Sequence, residues 1–102
     1  MTAGPVRVAA WVPDLMDRSR FGPDVVFVAT PEALGQVEAD LVLVDLNRLG
    51  DPARIGPVAG RLVGFASHVD DDRLAAATAA GFDEALPRSV FFRRLPALLG
   101  GS

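Results

Sequence analysis

Two aspartates stand where a sheet would deliver charge to a working edge. Asp45 closes the run DLVLVD, residues 40–45, and Asp14 follows the run VRVAAWV and Pro13. An uninterrupted aliphatic run such as Leu41 to Val44 reads as a strand buried on both faces. In open α/β sheets, ligands bind outside the carboxyl ends of the strands. Two carboxylates would face each other there, across the crevice where doubly wound sheets bind ligands. The plainer alternative is that each aspartate caps the turn that follows its strand.

Other chemistry has less behind it. Ser67, His68 and Asp70 lie close together in sequence, but neighbouring strand residues point to opposite faces and triads converge in space. His68 reads as a loop residue at the working edge. One His and no Cys make a poor transition-metal site. All ten basic residues are Arg, which excludes a Schiff-base lysine and a P-loop lysine. No glycine-rich nucleotide motif occurs. The formal net charge of −3 gives no electrostatic footprint for nucleic acid. No apolar run is long enough to span a bilayer, and the N-terminus lacks a signal pattern. A cytoplasmic protein bound to neither membrane nor nucleic acid is the expectation.

The elements that must position the aspartates alternate regularly. Strands are expected over Val6 to Val12, Val25 to Val28, Asp40 to Asp45, Arg61 to Ala66 and Asp83 to Leu86. Helices are expected over Leu15 to Phe21, from Pro31 through Val37, and over Asp70 to Ala80. The last helix starts after Ser89, and Pro96 should kink or split it. After Asp51-Pro52 one turn is expected before Gly56-Pro57 breaks the chain. Trp11 reads as core. Phe91 and Phe92 are adjacent on a helix and cannot both point straight inward, so one is a candidate for a semi-exposed partner surface. The alternation specifies a single α/β domain over residues 1–102, with a five-stranded parallel sheet in flavodoxin-like order 2-1-3-4-5 and short helices on both faces. The switch point then falls between the first and third strands, with Asp14 and Asp45 across it.

DLVLVDLN, WVPD and above all AAGFDEALP within GFASHVDDDRLAAATAAGFDEALPRS resemble a bacterial response-regulator receiver domain through most of the chain. The resemblance implies a phosphoacceptor at Asp45, Mg²⁺ held by Asp14, Asp45 and the backbone carbonyl of Asn47, and a cation at Arg88. It also implies a switch region at Ala66 or Ser67, near His68, and at Ala85. Several positions depart from the family. Pro13 replaces one acidic residue, Arg88 the lysine, and Ser89 a proline. Ala66 and Ala85 lack the hydroxyl and the aromatic ring of the switch. Arg is a wide planar fork where Lys is a compact charge. The chain is thus similar to an atypical, stand-alone receiver.

The expected function is two-component signalling through protein–protein contact and not enzymatic turnover. A histidine kinase or an output protein is the expected partner, since no output domain is expected after the last helix. A second reading keeps the fold and loses the phosphorylation chemistry, leaving a constitutive interaction or homodimerisation module. In that reading Asp14 is a helix cap and Arg88 pairs with Asp45, depressing its pKa. A third reading is a small-molecule binder or enzyme using the same crevice.

Overall fold

A computed structural model describes residues 7–67 and 70–100. Five strands form one all-parallel sheet: β1 (Val8–Trp11), β2 (Val25–Phe27), β3 (Leu41–Asp45), β4 (Arg61–Ala66) and β5 (Glu84–Pro87). Their order across the sheet is β2-β1-β3-β4-β5, the flavodoxin-like order read from the sequence. The central strands pair in register from Val8 opposite Leu41 to Trp11 opposite Val44, and from Leu41 opposite Arg61 to Asp45 opposite Phe65.

Side chains alternate between two buried layers, as the pleat requires. Ala9, Trp11, Val42, Val44 and Leu62 face one layer with Leu34, Ala77 and Phe82. Val8, Ala10, Leu41, Leu43, Val63 and Phe65 face the other with Phe21, Phe91 and Leu95. Trp11 is core, as expected. In the second layer, Phe65 and Phe91 stack with centroids 4.4 Å apart, and Phe21 meets both rings obliquely. Phe92 offers no exposed apolar face. It is 9% exposed and lies beneath the guanidiniums of Arg20 and Arg88.

The helices are shorter than the sequence suggests. α1 is a single turn, Leu15–Arg18. The segment Pro31–Gln36 is a 3₁₀ helix that buries Leu34, and Pro52–Arg54 is a 3₁₀ turn capped by Asp51. Both connections are short, and the tighter 3₁₀ winding suits such pieces. An unexpected single-turn helix, α2 (Leu46–Leu49), follows β3 without a loop. α3 covers Asp71–Ala79 and α4 covers Arg88–Leu98. Pro96 does not split α4. It falls in the last turn, where the helix is ending.

Two glycines permit close approaches that no other residue would. A Cβ on Gly64 of β4 would stand 2.7 Å from Cγ of Leu46, whose buried side chain fills that space. A Cβ on Gly60 would stand 2.4 Å from the carbonyl oxygen of Ala39, at the base of β3. Among the described residues no helix is long and apolar enough to cross a membrane.

Candidate functional site

The two aspartates occupy the same role on neighbouring strands. Asp14 is the N-cap of α1: the amides of Met16 and Asp17 donate to its Oδ1 at 2.8 and 3.2 Å. Asp45 is the N-cap of α2: the amides of Asn47 and Arg48 donate to its Oδ1 at 3.1 and 3.3 Å. An aspartate in this position satisfies amides that a one-turn helix cannot pair internally. The capping alternative therefore describes both carboxylates as they stand.

Arg88 does not pair with Asp45. Its guanidinium forks onto Asp17, with Nη1 2.9 Å from Oδ2 and Nη2 on Oδ1. Two parallel N–H donors matched to two carboxylate oxygens form the bidentate geometry that favours Arg over Lys. Asp17 is 7% exposed, buried in α1 beside the crevice. Its charge and those of Asp45 and Asp14 hold the Arg88 pKa above its ordinary value, with the Asp17 hydrogen bonds the largest cause.

Asp45 is left without a guanidinium, and its carboxyl pKa moves up, opposite to the direction that pairing with Arg88 would give. Burial is the main cause, and the charge of Asp17 adds to it. The two capping amides and Arg48 pull the other way without cancelling burial. Across the crevice, Arg48 of α2 reaches Oδ2 of Asp14 at 3.6 Å, a largely exposed pair.

Asn47 sits in α2, and its side chain bridges two loops. Its Oδ1 accepts the Ser67 amide at 2.7 Å, and its Nδ2 donates to Oδ2 of Asp70 at 3.0 Å. Arg73 completes the latch. Its Nε donates to Asp70 at 2.8 Å, and its Nη1 to the carbonyls of Leu46 and Gly50 at 3.4 and 3.2 Å. The end of β4 is thus tied to α2 through Asn47.

Of the expected switch positions, Ala66 is fully buried at the end of β4, Ser67 is half-buried, and half-buried Ala85 packs against the first core layer. His68 lies outside the described residues. Asp14 and Asp45 both act on the charge of Arg88, but the guanidinium is held by Asp17. Asp17 carried one signal in the sequence: it lies three residues after a helix cap, the spacing of a capping box. That signal pointed to the backbone and not to Arg88. Among the described residues no buried side-chain nitrogen or oxygen lacks a hydrogen-bond partner. Compared with protein-family models, curated proteins and solved structures, the chain finds no match.

Proposed function

We propose that this chain is a receiver-like interaction domain whose phosphorylation crevice is taken up by contacts among its own side chains, and that it binds protein partners without a phosphoryl switch. The observation that carries this reading is the Arg88 fork on Asp17. Phosphoryl transfer to a carboxylate needs a nucleophile, Mg²⁺ and a cation for the transferred oxygens. Here the cation is engaged by a neighbour, and the nucleophile caps a helix with its pKa raised.

The carboxylates also fit Mg²⁺ poorly as arranged. Mg²⁺ asks for near-octahedral oxygen at short range. Oδ1 of Asp14 and of Asp45 each accepts two amides, Oδ2 of Asp14 faces Arg48, and both oxygens of Asp17 face Arg88. The switch positions agree with a fixed face, since Ala66 and Ala85 offer neither a hydroxyl to bind phosphate nor a ring to reorient. A ligand shifts a population only by interacting differently with its two states.

Intact mass after incubation with acetyl phosphate and Mg²⁺ tests the reading. No phosphoryl adduct is expected in the wild type. An adduct that disappears in Asp45→Asn would restore the phosphoacceptor and overturn it.

A further inference from the structure

We infer that a groove between the turn after α1 and the first turns of α4 is a binding site for the dianion of a phosphate monoester. The groove is an open depression of ≈ 500 Å³ lined by Arg20, Arg88, Ser89, Phe92 and Arg93. No carboxylate lines it. Asp17, the carboxylate paired with the lining Arg88, has both oxygens on that guanidinium, so the pair is neutral.

Two guanidiniums in this groove find no acceptor among the described residues. Seven arginines of the chain pair with carboxylates. Arg18 donates to the Val12 carbonyl at 2.6 Å. Among the described residues, Arg20 and Arg93 have neither kind of acceptor, and both line the same groove. Among the described residues, eight arginines satisfied within the fold and two left open at one place is a local arrangement, because the overall charge is negative.

Arg20 is also held in position. Its guanidinium lies 3.8 Å from the centroid of Phe92, which is itself buried. Contact with a ring face uses the guanidinium's flat side and leaves its N–H donors, which lie in the plane, for a ligand. Holding the side chain before binding lowers the entropy lost on binding. Arg93 comes from the next turn of α4, and the exposed hydroxyl of Ser89 adds a neutral donor. A tetrahedral phosphate presents three oxygens, enough for two forks and a hydroxyl. The doubly charged monoester matches the two open cations. The ester's body could be a small metabolite or a phosphorylated side chain, and the shared chemistry is the phosphate. The groove shares Arg88 with the Asp45 crevice, but the ligand contacts proposed here are those of Arg20, Arg93 and Ser89, none of which belongs to that crevice.

The test is an NMR titration of the full chain, following backbone amides and arginine Nε–H signals at constant ionic strength. Inorganic phosphate, glycerol 3-phosphate and a phosphoserine peptide are the ligands, and chloride is the control. Saturable shifts at Arg20, Ser89 and Arg93 are expected, absent with chloride. Arg20→Gln and Arg93→Gln should each weaken binding by about five- to tenfold, a charge-assisted contact at a partly exposed site. Arg7→Gln, before β1 at the opposite end of the sheet, should leave it unchanged. Arg93→Gln does not touch Phe92, so it keeps the test sound if Arg20→Gln perturbs folding. Whichever ester binds tighter identifies the source. Non-saturating shifts spread over exposed arginines, or affinity indifferent to both substitutions, would overturn the proposal.

Discussion

Arg88 and Asp17 are 71 positions apart in sequence, and their side chains meet as a fork on a carboxylate, Nη1 to Oδ2 at 2.9 Å. The pair joins α1 to the start of α4 across the second core layer. It turns a crevice with three aspartates and two arginines into a set of satisfied contacts and leaves Asp45 without a counter-ion.

Removing both partners should cost less than the sum of removing each. Asp17→Ala leaves a guanidinium on a cluster of rings without its carboxylate, and a loss of about 1–3 kcal/mol is expected, below the cost at a fully buried pair because the Arg88 side chain is 41% exposed. The double-mutant cycle with Arg88→Ala should give a favourable coupling on the order of 1 kcal/mol. Urea unfolding of the four proteins measures it, and additive losses would show that the two groups do not interact.

Asp45 should limit stability near neutral pH. Its folded pKa lies above the unfolded value because burial disfavours the carboxylate. Protonated Asp45 therefore contributes stability that is fully present below the unfolded pKa and is lost as pH rises through the folded one. Asn caps helices as well as Asp does. Asp45→Asn should thus be more stable than the wild type at pH 7, on the order of 1 kcal/mol, with the gap closing as pH falls below the ordinary carboxylate range. Chemical denaturation between pH 3 and pH 8 checks this, and a variant less stable at pH 7 would mean that the charge stabilises the fold.

Glu84 should behave in the opposite sense. Arg94 first, and Arg61 after it, hold its carboxyl below the usual range. Such a group contributes stability above the unfolded pKa, lost as pH falls through the folded one. Glu84→Gln is expected to flatten the acid limb of the pH–stability profile and to lower stability modestly at pH 7. An unchanged acid limb would mean that the two pairs are screened by solvent.

Gly64 should be intolerant of a side chain because Leu46 fills its place. Gly64→Ala forces Leu46 out of a space it already occupies, with an expected loss of about 1–3 kcal/mol. The displacement should appear at the Asn47 and Arg48 amides, which depend on the same turn. A crystal structure with Leu46 unmoved and unchanged stability would contradict the packing.

The sheet was legible in the sequence because each buried parallel strand is a short continuous apolar run between breakers, and β4 spans the expected residues. Placing Asp14 and Asp45 at one end followed from strand order and direction. The partner of Arg88 did not, since it depends on which way a side chain in a one-turn helix points. α2 was equally hidden. Its four residues carry too little periodicity to register, and it exists through the Asp45 cap and the fit of Leu46 against Gly64. The expected Asp45 partner was wrong for the same reason: the guanidinium of Arg88 meets Asp17, a residue whose place in a one-turn helix the sequence does not fix.

The most direct test of the proposal that this crevice carries no phosphoryl switch is the response of the 71–87 segment to a phosphoryl mimic. Amide shifts of the labelled chain are recorded with and without beryllofluoride and Mg²⁺. Shifts absent, or confined to the neighbourhood of Asp14 and Asp45, are the predicted result. Concerted shifts along α3 and β5, abolished by Asp45→Asn, would show that the crevice still transmits a phosphoryl signal and would contradict it.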